Sequence, residues 1–106
     1  MRVLFDQGTP VPLRQNLAGQ RVSTAYELGW ATLKNGELLR SAESEGFEVL
    51  VTTDANLKYQ QNLAARRIAI VVLSTTSWPR IRAAVDNVAA AVNSASVGSY
   101  VEVSIP

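Results

Sequence analysis

An unbroken run of apolar and mostly β-branched residues, Ile68 to Leu73, constrains the fold of this chain more than any other feature. A strand of this composition has no polar face, so it belongs in the middle of a sheet that is covered on both sides. Two shorter runs, 3–5 and 47–51, have the same apolar character. Buried strands that alternate with helical segments are typical of α/β proteins with a parallel sheet.

The segments between these runs carry the signals of helices. Asn35 can cap a helix, and Gly46 is a suitable residue to end it. The last helical segment has apolar residues at intervals of three and four, which is the pattern of a helix with one buried face. Helices are therefore predicted after Pro10, over 35–45, over 54–65 and from Ser77 onwards.

Two further strands complete the series. Residues 20–25 alternate weakly around Val22, and the last run alternates Val101, Val103 and Ile105 with polar residues. Such alternation is typical of an edge strand with one face in water. The predicted fold is a three-layer α/β/α sandwich with a mainly parallel central sheet, formed by one domain over 1–106.

Composition excludes several kinds of chemistry. The chain has no Cys and no His, which rules out disulfides, thiol nucleophiles, zinc–thiolate sites and histidine bases. The formal charge of +1 gives no overall attraction for polyanions, so any nucleic-acid binding must come from a local cluster. The chain starts directly on a strand-like run and has no apolar stretch of bilayer length. We therefore expect a cytoplasmic protein without a membrane partner.

Two aspartates stand where apolar runs stop: Asp6 follows the first run, and Asp54 follows the run 47–51. If these runs are neighbouring parallel strands, both carboxylates face the crevice in which α/β proteins bind ligands. Glu37 opens the helix predicted over 35–45, at the same edge of the sheet. Two or three converging carboxylates suit a hard cation such as Mg²⁺ or Mn²⁺.

Each of these acids also has a purely structural interpretation. Asp6 precedes Gln-Gly and can form a turn, and Asp54 can cap a helix. Glu37 can complement a helix dipole. For each aspartate alone the structural and metal-binding interpretations are about equally strong. The joint pattern favours a metal, because three converging carboxylates would repel one another without a cation.

Three stretches of the chain resemble the small PIN-like (PilT N-terminus-like) proteins, stand-alone bacterial chains often found in toxin–antitoxin pairs. The stretches are Val3-Leu4-Phe5-Asp6, Leu33-Lys34-Asn35-Gly36-Glu37-Leu38-Leu39 and Val49-Leu50-Val51-Thr52-Thr53-Asp54-Ala55-Asn56-Leu57. The resemblance implies a PIN-like fold and a metal-dependent endoribonuclease toxin, with RNA and a cognate antitoxin as partners. It also implies that Asp6, Glu37 and Asp54 are the catalytic residues and bind Mg²⁺ or Mn²⁺.

Other residues are candidates for contacts with the RNA. Thr53 and Asn56 could bond the phosphate or a water beside the metal. Lys34 and Lys58 are candidates for backbone phosphates, and Arg66-Arg67 could extend the same track. The alternative for each cation is an ordinary surface charge.

The chain departs from the family pattern in two ways. Relatives commonly carry Asp where this chain has Glu37. They usually offer a fourth acid late in the chain, and no good candidate for it follows Leu73, where Ser74, Thr75 and Thr76 stand. An alternative function therefore stays open, that of a catalytically inactive PIN-like module that binds RNA or a protein partner. Self-association is also open, through the predicted edge strand or the Ala-rich face of the last helix.

Aromatic residues allow two interpretations. Tyr26, Trp30 and Tyr59 could stack on unpaired bases, as aromatic side chains do in proteins that bind single strands. Large aromatic residues more often anchor a core or an interface, and we favour that interpretation for Trp30 and Trp78.

Overall fold

The structure is a computed structural model that describes residues 1–60, 62–63 and 65–106. Strands in these residues form one parallel sheet: β1 Arg2–Phe5, β2 Arg21–Thr24, β3 Val49–Thr52, β4 Ala69–Leu73 and β5 Tyr100–Val103. Their order across the sheet is β2-β1-β3-β4-β5. All residues of β3 and β4 are buried, whereas β2 and β5 at the two edges are partly exposed. The predicted buried strand and the predicted edge strand are therefore both confirmed.

Helical segments cover both faces of the sheet. On one face lie α1, Asn35–Ser44, and α2, Leu57–Gln60. On the other lie a 3₁₀ helix, Val11–Asn16, and then α3, Trp78–Ala83, and α4, Val85–Asn93. The three-layer α/β/α arrangement predicted from the sequence is confirmed.

Two hydrophobic cores form because side chains alternate between the faces of each strand. Leu4, Leu50 and Ile70 pack under α1 and α2. Phe5, Val51 and their neighbours pack under the 3₁₀ helix, α3 and α4. Trp30 joins the first core edge-on to Phe47, with ring centroids 6.1 Å apart, and Trp78 packs against the second. Both tryptophans are partly buried and pack against a core, which agrees with the interpretation favoured for them from the sequence.

The end of α1 follows the predicted pattern. Gly46 has a φ of +83°, a conformation that glycine adopts without strain. The N–H of Phe47 donates to the carbonyl of Ala42 at 2.9 Å, and that of Gly46 donates to Glu43 at 3.1 Å. These two bonds form a Schellman motif, which satisfies carbonyls that the helix itself leaves unpaired.

Two predicted helices differ in the structure. The helix predicted over 54–65 is helical only over Leu57–Gln60; residues 62, 63 and 65 are not helical, and residues 61 and 64 lie outside the described ranges. The long helix from Ser77 is divided at Ala84, where φ is −123° and ψ is 23°. Its apolar stripe is nevertheless buried, with Ile81 and Val88 fully enclosed.

The last two connections cross opposite faces of the sheet. The β3–β4 connection passes over the face that carries α2, whereas the β4–β5 connection passes over the other face through α3 and α4. Both connections move in the same direction across the sheet. They therefore have opposite hands, so one of them is left-handed, which is rare among parallel crossovers.

None of the helices within the described ranges combines the length and the apolar character that crossing a bilayer requires.

Candidate functional site

The candidate site lies at the carboxyl edge of the sheet, where β1 and β3 end side by side. These strands are paired in parallel, as the sequence predicts. From β1 the chain moves towards β2, and from β3 it moves the other way, towards β4. This reversal creates a crevice outside the strand ends, the usual place for a ligand in an open α/β sheet. Asp6 and Asp54 follow the two strands that flank it.

The carboxylate of Asp6 is held by two buried hydroxyl groups. The hydroxyl of Thr9 donates to Oδ1 at 2.7 Å, and the hydroxyl of Thr52 donates to Oδ2. Thr9 and Thr52 are only 4% and 1% exposed. The N–H of Asp6 also donates to the carbonyl of Val51 at 3.2 Å, across the β1–β3 pair. Asp6 also opens a turn, as its structural interpretation predicted, because the N–H of Thr9 donates to its carbonyl at 3.2 Å. Its carboxylate is fixed between the two strands.

Thr52 links Asp6 to the second aspartate. Its hydroxyl oxygen accepts a hydrogen bond from the N–H of Asp54 at 3.1 Å. The Asp54 carboxylate accepts from the N–H of Asn56 and from the side-chain amide of Asn35, each at 2.9 Å. The bond to Asn56 is an Asx turn, and α2 begins three residues after Asp54, at Leu57. Asn35 is not the residue that caps α1, a position held by Lys34.

Glu37 lies in the first turn of α1, where its exposed side chain accepts from the N–H of Lys34 at 3.4 Å. This is the capping arrangement of a helix start. Within the described residues, no three acidic side chains form a group that could hold a metal ion. The structure joins Asp6 and Asp54 in one hydrogen-bond network and gives Glu37 a local role. The metal site of three acids stays a prediction.

Thr53 lies against the loop that carries Asp6. A Cβ atom added to Gly8 would come within 2.7 Å of Thr53 Oγ1. The loops after β1 and β3 therefore approach so closely that a residue with a side chain at position 8 would force a shift. Thr53 and Asn56 are both at least partly exposed. The two residues predicted to contact a phosphate are thus placed at the candidate site.

The two lysines predicted to contact RNA phosphates, Lys58 and Lys34, lie in different surroundings. Lys58 forms an ion pair with Glu102 at 2.6 Å, and this hydrogen bond raises the pKa of Lys58 above its usual value. Glu102 belongs to β5, three strand intervals from β1, which is about 14 Å. Lys58 therefore reaches towards the β5 edge and not towards Asp6. Lys34 is exposed at the start of α1, at the carboxyl edge of the sheet where the candidate site lies.

Arg66 and Arg67 lie at the opposite, amino edge of the sheet, so they do not extend a phosphate track from Asp6. Arg66 pairs with Glu43 at 2.7 Å, and the N–H of Arg67 donates to the same carboxylate at 2.9 Å. Partial burial alone would raise the pKa of Glu43, but the hydrogen bonds from Arg66 and the backbone lower it. A cavity of about 390 Å³ at this edge is lined by Arg67, Phe47 and other residues remote from Asp6.

A second cavity, of about 340 Å³, opens beside Asp6 on the β2 side. Its lining residues are Asp6, Gln7, Thr9, Val11, Arg14, Thr24, Tyr26 and Glu27. Arg14 forms a bidentate ion pair with Glu27, through hydrogen bonds of 2.5 and 3.2 Å. The hydrogen bonds from Arg14, and to a smaller extent the hydrogen bond from the backbone N–H of Thr24, lower the pKa of the Glu27 carboxyl.

Sequence reasoning did not identify Arg14 and Glu27 as residues of the site. The available signal was the spacing Thr24-x-x-Glu27, which is the pattern of a capping box. The structure contains the two reciprocal bonds of that pattern, at 2.9 and 3.1 Å. The pairing of Glu27 with Arg14 could not be predicted, because it depends on the 3₁₀ helix lying next to this turn.

The described groups near Asp6 and Asp54 include carboxylates, threonine hydroxyls and a backbone carbonyl, all of them hard oxygen donors. Oxygen donors of this kind suit Mg²⁺ and Mn²⁺ and the phosphate groups that accompany them. Comparisons of the chain with protein-family models, with curated proteins and with solved structures gave no match.

Proposed function

We propose that this chain is a metal-dependent endoribonuclease of the PIN-like type, the toxin of a bacterial toxin–antitoxin pair. The observation that carries the proposal is the bridge formed by Thr52, which joins Asp6 to Asp54 at the β1–β3 crevice. RNA as the substrate and a cognate antitoxin as the inhibitor come from the sequence resemblance. The crevice and its oxygen donors are what the fold adds in support.

The residues present fit a magnesium or manganese ion. Mg²⁺ is usually bound in proteins through one or two carboxylates together with substrate phosphates and water. A carboxylate has about four acceptor positions, and each oxygen of Asp6 and Asp54 accepts one of the described hydrogen bonds. Asp6 and Asp54 would hold the ion, with Glu37 completing its surroundings. When bound, such an ion polarises the scissile phosphate and lowers the pKa of its bound water.

The chain's own residues position the two aspartates. Thr9 and Thr52 orient the carboxylate of Asp6, while Asn35 and the backbone of Asn56 orient that of Asp54. Because both carboxylates are already held by hydrogen bonds, little ordering is required when a ligand binds, which favours affinity. The neighbouring hydroxyl of Thr53 would contact a phosphate oxygen.

Metal dependence tests the proposal directly. We expect the purified chain to cleave a single-stranded RNA only when Mg²⁺ or Mn²⁺ is added, with a rate that saturates as the ion concentration rises. A chelator should stop the reaction, and readdition of the ion should restore it. Cleavage that persists unchanged in excess chelator would contradict the proposal.

A second candidate function is a PIN-like module that binds RNA or a protein without catalysis. The observation in its favour is that no three acidic residues in the described part of the chain are grouped to hold a metal. For this module, RNA binding should be measurable in chelator and no cleavage should appear at any ion concentration. The same titration therefore distinguishes the two functions.

Glu37→Gln separates the two roles of Glu37. Glutamine serves a capping box as glutamate does, so the free energy of unfolding should fall by less than about 1 kcal/mol, the scale of the lost interaction with the helix dipole. The negative charge that would attract a cation is lost. If Glu37 completes the surroundings of the metal, we expect cleavage to fall by about tenfold, as supporting residues at metal sites typically show. Chemical denaturation and single-turnover cleavage measure the two effects. Unchanged cleavage would restrict Glu37 to its cap.

A further inference from the structure

Tyr26 is exposed beside the candidate site in an unusual position. It is 76% exposed and lines the 340 Å³ cavity next to Asp6, together with Val11, which is 54% exposed. Large apolar side chains that line a concave surface often mark a place where a ligand binds. The cavity volume lies at the lower end of the range for small-molecule sites, which begins at about 300 Å³.

The turn that carries Tyr26 is held firmly from both sides. Thr24 and Glu27 exchange two hydrogen bonds across it, at 2.9 and 3.1 Å. The N–H of Ala25 donates to the carbonyl of Phe5 at 2.8 Å, which attaches the turn to the end of β1. A fixed backbone leaves only the two side-chain torsions of the tyrosine to be ordered when a ligand stacks on it, which limits the entropy cost of binding. Tyr26 is therefore a prepared platform rather than a residue of a loose loop.

The charges around the cavity favour a neutral, flat ligand. The bidentate ion pair with Arg14 compensates the negative charge of Glu27, although the buried Nε of Arg14 has no hydrogen-bond partner among the described residues. Asp6 also lines the cavity, so its two acidic residues outnumber the one arginine, and this lining does not suit a phosphate. Gln7 supplies an exposed side-chain amide at the rim, which can donate and accept hydrogen bonds. These features match a nucleobase.

We propose that this cavity holds one unpaired nucleobase stacked on Tyr26, so that the substrate class of the site is single-stranded RNA. The inference deepens the proposed function and rests on it. Asp6 lines both the cavity and the β1–β3 crevice, so a nucleotide with its base on Tyr26 has its backbone next to Asp6. Bases within a duplex keep their faces stacked on one another, whereas unpaired bases can be splayed onto an aromatic ring.

Binding in the absence of metal tests the inference. The probe is a fluorescent single-stranded oligonucleotide with 2′-O-methyl riboses, measured by anisotropy in a chelator. We expect Tyr26→Ala to weaken binding by about tenfold, the scale of one lost base–aromatic stack, and Tyr26→Phe to bind within about twofold of the original chain. A duplex of the same sequence should bind more weakly than the single strand.

Tyr59→Ala is the matched control. Tyr59 is 77% exposed, but it belongs to α2 and does not line the cavity, so the base-stacking role considered for it from the sequence is not expected here. This variant should bind the probe like the original chain. Equal losses in Tyr26→Ala and Tyr59→Ala, tighter binding of the duplex, or no binding of the single strand would each overturn the inference.

The two proposals fail in different ways. If binding depends on Tyr26 but no metal produces cleavage, the nuclease proposal is wrong and the base-binding cavity is supported. If cleavage requires metal but Tyr26→Ala binds and cleaves like the original chain, the nuclease proposal holds and the base-binding cavity is wrong.

Discussion

Asp6→Asn and Asp54→Asn should each reduce metal-dependent RNA cleavage by about a hundredfold or more. Asparagine keeps the size of the side chain and one acceptor oxygen, but it removes the negative charge that would hold the ion. A metal ion contributes several kcal/mol of charge stabilisation in the transition state, and each 1.36 kcal/mol lost is about a tenfold loss of rate. Initial rates at saturating Mn²⁺ measure the effect.

Asp86→Asn is the matched control for these variants. Asp86 is an exposed acid in the first turn of α4, on the opposite face of the sheet from α1, and it makes no contact with the β1–β3 crevice among the described bonds. Its replacement should leave the cleavage rate within about twofold of that of the original chain, as expected for a charge outside the site. Full activity in both Asp6→Asn and Asp54→Asn would reject the site altogether.

Asp6→Ala should lower the free energy of unfolding by about 2 kcal/mol, the scale of a lost hydrogen bond to a charged group. Alanine removes the acceptor of the buried Thr52 hydroxyl, whereas Thr9 retains the carbonyl of Val51 at 2.9 Å as an alternative. Urea denaturation followed by circular dichroism measures the change. Asp6→Asn, which retains an acceptor, should be less destabilising.

A double-mutant cycle shows whether this loss comes from the Thr52 hydroxyl. Thr52→Val has the shape of threonine without the donor, so the double variant Asp6→Ala with Thr52→Val leaves no unpaired hydroxyl. Its destabilisation should be smaller than the sum of the two single variants by about 1 kcal/mol, because residues in contact are not additive. Simple additivity would show that the two side chains do not interact as described.

These two predictions concern one residue with two roles. Asp6 is expected to contribute to stability through the buried hydroxyls, and it is one of the two aspartates proposed to bind a cation. The structural and functional interpretations of Asp6 are therefore compatible, and only the comparison of alanine with asparagine separates them. Cleavage lost in Asp6→Asn with little loss of stability would assign the charge to function.

Much of the architecture follows from local patterns. The run from Ile68 to Leu73 is apolar on both faces, so it had to lie inside a covered sheet, and β4 does. The alternation around Val101 and Val103 predicted an edge, and β5 is one. Gly46 predicted the end of α1, because few other residues adopt the required positive φ without strain.

The helix predictions that were wrong depended on competition between local and distant partners. Asp54 was predicted to open a helix, but α2 begins only at Leu57. The Asp54 carboxylate accepts hydrogen bonds from the N–H of Asn56 and from Asn35 of another element. The apolar stripe after Ser77 continues through Ala84, so nothing in its spacing marks the division between α3 and α4. Periodicity describes which face is buried, not whether the backbone stays helical.

Which strands are buried, which strand lies at an edge and which aspartates follow adjacent strands could all be inferred from residue order, because burial and strand polarity leave a periodic trace in the chain. Three features leave no such trace: the hydroxyl of Thr52 between Asp6 and Asp54, the grip of Arg14 on Glu27, and the opposite hands of the last two crossovers. Each joins elements whose relative placement is set by packing across the sheet, and packing depends on distances in space rather than on spacing along the chain.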